Sequence, residues 1–178
     1  LNHAKENNLD RIIYIIPYTS IIDQNAAVVR EILEPNGEED QIVLEHHSNL
    51  TQKNDTERNR LLAENWDAPV VFTTLVQFLE TLFGSGTRGV RRMHRLANSV
   101  LIFDEAQTLP INVIHVFNQS LNLLREQWNS SIVLCTATQP ILHRVDISKG
   151  ALRLSNVPDL IEDKSYLFEK LRRVEVID

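Results

Sequence analysis

Two adjacent carboxylates, Asp104 and Glu105, follow directly on the apolar run Val100-Leu101-Ile102-Phe103. Such a run reads as a buried strand, which delivers both acids to the edge of a sheet. Paired carboxylates there are costly unless a cation or hydrogen bonds compensate them. Magnesium does so in nucleotide hydrolysis, held by a few protein oxygens and by the phosphates. In that chemistry Asp104 holds Mg2+ through water and Glu105 polarises the attacking water, while Gln107 senses the γ-phosphate or contacts an opposite lobe. The alternative is structural: Asp104 caps the next helix and Glu105 is a solvated first-turn acid.

Other side chains offer contacts to a polyanion. Thr19, Ser20, Thr73 and Thr74 are small hydroxyl donors at strand ends. They suit phosphate contacts that ignore base identity, and they equally suit helix capping. Arg88, Arg91, Arg92 and Arg95 form the densest basic cluster. It reads either as a DNA-backbone track or docking patch, or as a solvated helix face. His46 and His47 are adjacent on a strand and point to opposite faces, so joint metal ligation is disfavoured. Cys135 reads as a buried small hydrophobe, and Trp66 and Trp128 as core.

These groups need a scaffold, and the chain alternates strands with helices. Ile12-Ile13-Tyr14-Ile15-Ile16, Val70-Val71-Phe72, Val100-Leu101-Ile102-Phe103 and Ile132-Val133-Leu134-Cys135 are runs without a polar face. Such runs are strands buried on both sides, as in a parallel sheet. Ile42-Val43-Leu44 is a weaker strand, and Val174-Glu175-Val176-Ile177 another. Between them, Ile22, Ala26, Val29 and Leu33 share one helical face, with Thr19 or Ser20 as the cap. Residues 56–66 read as a helix with Leu61, Leu62 and Trp66 inward. Leu75 to Phe83 is a helix stopped by Gly84 and Gly86; Ile114, Phe117, Leu121 and Leu124 mark a long one, and residues 166–172 a last one. Periodicity is weakest between Pro140 and Asp163, the most linker-like stretch. The pattern predicts one α/β domain with helices on both faces of a parallel sheet. Ligands then bind at the carboxyl ends of strands, where residues after Ile16, Phe103 and Cys135 all fall.

Composition narrows the classes. Net charge is −6, which argues against a binder whose whole surface is positive. The single Cys135 excludes an intrachain disulfide and fits a reducing cytosol. No apolar run approaches the roughly 18 residues of a membrane span. The first residue is Leu1, and the chain is read as part of a longer protein.

The string Val100-Leu101-Ile102-Phe103-Asp104-Glu105-Ala106-Gln107 resembles motif II of superfamily-two helicases, the DEAD/DEAH group. Leu134-Cys135-Thr136-Ala137-Thr138 resembles motif III, Pro17-Tyr18-Thr19-Ser20 motif Ia, and Thr73-Thr74 with Gln77 the next DNA-contacting motif. Glu45-His46-His47-Ser48, Gln77-Phe78-Leu79-Glu80-Thr81-Leu82-Phe83, His94-Arg95-Leu96-Ala97-Asn98-Ser99 and Thr138-Gln139-Pro140 narrow the likeness to the helicase–nuclease of type I CRISPR interference. The likeness runs from about Arg11 to Asp178.

The resemblance implies a RecA-like fold, ATP and Mg2+ as cofactors, and a prokaryotic cytoplasmic protein. It implies single-stranded DNA as track, an RNA-guided surveillance complex as recruiter, and a His-Asp nuclease, fused or separate. Pro17, Thr19, Ser20, Thr73, Thr74, Gln77, Arg91 and Arg92 become candidate DNA contacts. Thr136 and Thr138 become nucleotide-state relays. One departure is plain: the chain holds no Gly-x-x-x-x-Gly-Lys-Ser/Thr phosphate loop. The expectation is a partial first motor lobe over 1–178, from motif Ia to motif III, lacking the phosphate-loop strand, with 140–178 leading toward a second lobe. Alone it should neither bind ATP tightly nor hydrolyse it. A nucleic-acid-dependent ATPase outside CRISPR and a non-enzymatic RecA-like interaction module are the competing readings.

Overall fold

The structure is a computed structural model that describes residues 1–34, 42–47, 57–136, 142–155, 159–161 and 163–172. Five strands pair in parallel: β1 (Arg11–Ile16), β2 (Val43–His46), β3 (Val70–Thr74), β4 (Ser99–Phe103) and β5 (Ser131–Leu134), in the order β2-β3-β1-β4-β5. Register ties Ile16 to Thr74, Ile15 to Phe103 and Phe103 to Leu134. All five carboxyl ends therefore lie along one edge of the sheet.

Each strand alternates between two cores, because successive strand residues point to opposite faces. Ile13, Ile15, Val71, Leu101 and Phe103 face one side, and Ile16, Val43, Val70 and Phe72 the other. Among the described residues seven α-helices accompany the strands: α1 (Asn2–Glu6), α2 (Thr19–Leu33), α3 (Glu57–Asn65), α4 (Leu75–Phe83), α5 (Thr87–Met93), α6 (Ile114–Glu126) and α7 (Lys164–Leu171). Helix α2 covers the second face with Ile22 and Ala26, assisted by Val29 and Leu33. Helices α4 and α6 cover the first with Phe78, Phe117, Leu121 and Leu124. Phe78, Phe103 and Phe117 meet edge to face, with Phe103 centred 4.9 Å from Phe78 and 5.2 Å from Phe117. That cluster is the floor beneath Asp104, and each ring contributes roughly 1.5–3 kcal/mol of burial.

The sheet, its parallel sense and its two helical layers are as the sequence predicts. Four local expectations change. Helix α2 starts at Thr19 itself, and the extended residue before it is Tyr18 (φ −117°, ψ 127°), so neither Thr19 nor Ser20 takes the cap position. Leu61 points outward at 53% exposure, because its neighbour Leu62, about 100° around the helix, takes the inward position instead. Helix α1 was invisible to apolar periodicity, since Ala4 is its single buried residue.

The fourth change concerns the linker-like stretch, whose described residues 142–153 are docked. Asn118 donates to the Leu142 carbonyl, Gln119 to that of Lys149 and Asn122 to that of Ala151. Leu142 is 3% exposed and joins the core. Side-chain amides on α6 hold an irregular main chain here, which requires no periodicity in the held segment. The strand expected at 174–177 lies outside the described residues.

A candidate nucleotide-hydrolysis site at the strand ends

Strand β4 carries Asp104 to the carboxyl edge, and main-chain bonds fasten the acidic turn to both neighbouring strands. The Asp104 amide donates to the Ile15 carbonyl at 2.8 Å on the β1 side. On the β5 side the Ala106 amide donates to the Cys135 carbonyl at 3.0 Å, and the Cys135 amide to the Phe103 carbonyl at 2.8 Å. Three chain segments are thus fixed within one turn of the carboxylates.

Asp104 is half-buried. Its Oδ1 accepts the Glu105 amide at 3.0 Å, and its Oδ2 accepts the Tyr14 hydroxyl at 3.2 Å. Burial pushes the Tyr14 phenol up to about 12, and the Asp104 charge and hydrogen bond add to that. Tyr14 is therefore a permanent donor at neutral pH. Burial also raises the Cys135 thiol, with Asp104 adding to the effect, so it is not primed as a nucleophile.

Glu105 adopts the left-handed region (φ 51°, ψ 44°), which costs a non-glycine residue roughly 1–2 kcal/mol. The turn holds it there through its carbonyl, which accepts the Thr108 amide at 2.9 Å and the Thr108 hydroxyl at 2.8 Å. The Gln107 amide nitrogen donates to the Glu105 carboxylate, and the Thr136 hydroxyl donates to Gln107 Oε1 at 2.5 Å. This network fixes which way the Gln107 amide points, because its nitrogen must face the carboxylate and its oxygen the hydroxyl.

The short 3-10 turn over Ala106–Thr108 has Glu105, not Asp104, at its N-cap position, and Glu105 is half-buried. Among the described residues no lysine or arginine pairs with Asp104 or Glu105. The donor set fits magnesium: hard carboxylate oxygens at a strand end, with lone pairs remaining and no protein cation competing for them.

The family model for DEAD/DEAH box helicases matches residues 1–145. The chain belongs to that family. It is 27% identical over 148 residues to the CRISPR-associated nuclease/helicase Cas3 of Haloferax volcanii, which covers 75% of this chain and 16% of that protein. A solved structure described as T. fusca Cas3-ATP superposes with a TM-score of 0.55 at 19% identity, over 74% of this chain and 15% of that one. The chain thus spans about one sixth of the length of the curated relative it matches.

In this member of the DEAD/DEAH box helicase family, the other candidate residues fall into two groups. Pro17 and Thr19 are half-buried and Ser20 is exposed, all at the β1 end of the carboxyl edge. Thr74 caps α4, accepting the Gln77 amide at 3.2 Å. Arg91 is exposed and pairs with Glu64 at 3.2 Å. Thr138 lies outside the described residues.

Thr73 and Arg92 require correction as DNA contacts. Thr73 is fully buried and donates its hydroxyl to the His46 carbonyl at 2.9 Å. Arg92 is 7% exposed, lies over the Trp66 ring at 5.7 Å, and donates to the Glu64 carbonyl and to Gln77 Oε1. Neither faces solvent, so a DNA strand lying on the surface meets neither. Gln77 is drawn into the same bracket, its amide nitrogen donating to Glu80 at 2.8 Å.

Sequence reasoning counted Tyr14 as one more apolar strand residue and passed over Thr108. The signal for Tyr14 was available. A phenol inside an otherwise aliphatic strand needs a partner for its hydroxyl when buried.

Proposed function

We propose that the chain forms part of an ATP-dependent motor lobe that moves single-stranded DNA and feeds it to a nuclease in CRISPR interference, inside a prokaryotic cytoplasm. The observation that carries this reading is the Thr136–Gln107–Glu105 hydrogen-bonded chain, which joins the end of β5 to the acid at the end of β4. Glu105 orients and polarises the attacking water. Gln107 holds the Glu105 carboxylate in one rotamer, and Thr136 holds Gln107, so a shift of the β5 end reaches the acid directly. Tyr14 fixes the orientation of the Asp104 carboxylate, which would hold Mg2+. The ion, when bound, neutralises charge on the phosphate oxygens. Pro17, Thr19, Ser20 and Thr74 sit on the same carboxyl edge, where small polar groups serve a motor that tolerates any base sequence.

The test is Glu105→Gln in the full-length protein. ATP turnover should collapse while nucleotide binding, read by a fluorescent ATP analogue, stays within a few-fold. The isolated chain should show no turnover, because it holds no phosphate loop. Undiminished turnover in the full-length variant would remove Glu105 from the reaction and favour a non-enzymatic interaction module. Loss of turnover without any DNA dependence in the parent would place the protein outside DNA translocation.

A further inference from the structure

On the opposite edge of the sheet, Asp23, Glu45 and His47 converge. Glu45 lies on edge strand β2 and His47 one residue past its end, two residues on in the same alternation, so both project to the face covered by α2. Asp23 reaches them from α2, one turn beyond Thr19. One ligand atom from each residue lies within 4.8 Å of the other two, and His47 Nε2 is 3.1 Å from Asp23 Oδ1. His46, between them, turns to the other face and meets the Trp66 ring at 5.9 Å. The alternation that prevents two adjacent histidines from sharing a metal therefore puts Glu45 and His47 together.

Carboxylates crowd this corner. Arg30 pairs with Glu45 and approaches Glu34 at 3.9 Å. Asp23 adds a third carboxylate, and among the described residues Arg30 is the guanidinium that pairs with this group. Burial raises the Glu45 carboxyl, and Asp23 adds to this against the pull of Arg30. The His47 side chain is 4% exposed and that of Asp23 67%, so the group is anchored inside and open outside.

We propose that Asp23, Glu45 and His47 form a binding site for a transition-metal dication of the zinc class, with water completing four-coordination. One imidazole and two carboxylates with an open fourth position match the ligand types and number zinc accepts. The imidazole favours zinc, cobalt or nickel over magnesium. The site is separate from the acidic motif, since β2 lies three strands from β4, about 14 Å across the sheet. Occupancy links α2, which carries Thr19 and Ser20, to edge strand β2. It does not depend on the motor reading, because its test measures metal alone.

The experiment is calorimetric titration of the 178-residue chain with Zn2+, followed by Co2+ in place of zinc to read the visible absorption of a tetrahedral site. We expect one ion per chain. Asp23→Asn and His47→Gln should each weaken binding by at least about tenfold, while Cys135→Ser and Asp146→Asn leave it unchanged. If His47→Gln does not fold, the exposed Asp23→Asn decides alone. Absence of stoichiometric uptake at millimolar Zn2+, or uptake that survives Asp23→Asn, overturns the proposal.

Discussion

Two polar constellations flank the carboxyl half of this sheet, and they differ in how their charges are answered. At the ends of β4 and β5, Asp104 and Glu105 receive hydrogen bonds from Tyr14, Gln107 and their own turn, and no protein cation among the described residues. Between α3, α4 and α5, Arg92 is enclosed by the Glu64 carbonyl, Gln77 and the Trp66 ring. The first group holds acids ready for something from outside. The second is closed on itself and holds three helices in place. Both look like chemistry in the sequence; the inventory of partners separates them.

The largest expected effect strikes the first constellation. Glu105→Gln should lower turnover in the full-length protein by about 10²–10⁴-fold, the usual share of a positioned acid–base group. Stability of the isolated chain should hold to within about 0.5 kcal/mol in urea denaturation, because the variant keeps the shape and loses only a charge. A marked loss of stability would make Glu105 a structural acid and break the contrast.

The second constellation should respond the other way. Arg92→Ala removes a buried guanidinium, its hydrogen bonds to Glu64 and Gln77 and its stem packing, for a destabilisation of about 2–3 kcal/mol. DNA affinity of the folded variant should keep its salt dependence. A reduced salt slope with unchanged stability would instead return Arg92 to the DNA track.

A smaller effect comes from His46, which packs beside the same bracket. Burial, then Arg92 and His47, hold its imidazole down to about 3. An unfolded histidine titrates near 6.5. Above that pH both states are neutral and nothing is lost. Between 6.5 and about 3 the unfolded chain gains a proton that the folded chain refuses, so stability falls as pH falls, by at most ~1.4 kcal/mol per unit. From pH 6.5 to 4.5 the loss should be about 2 kcal/mol in denaturant titrations. His46→Phe should flatten that slope, and it also removes Nδ1, a buried nitrogen without a partner among the described residues.

What the sequence disclosed follows from the range of its signals. Strands buried on both faces appear as continuous apolar runs, so β1, β3, β4 and β5 were legible, and with them the placement of Asp104. The link from Gln107 to Thr136 spans 29 residues, and that from Tyr14 to Asp104 spans 90; no local pattern encodes either. Thr73 was misread because its hydroxyl is turned to a neighbouring strand rather than to the edge. The docked stretch at 142–153 was missed because amide groups on α6, not apolar spacing, hold it.

Arg91 supplies the finest version of the contrast, since it follows Gly89 and Val90 on the same short helix and adjoins Arg92. The seven-residue α5 carries too little apolar periodicity for its phase to be read, so the two arginines were indistinguishable in sequence. In the structure one is buried and the other is exposed, paired with Glu64 on the surface. An exposed pair contributes about 0–1 kcal/mol, with salt screening the attraction. Arg91→Ala should therefore change stability by less than about 0.5 kcal/mol. If α5 borders the DNA path, the same substitution should lower the salt dependence of DNA binding by about one counterion. An unchanged slope would leave α5 as a helix that only braces the fold, and the DNA path would then rest on Pro17, Thr19, Ser20 and Thr74.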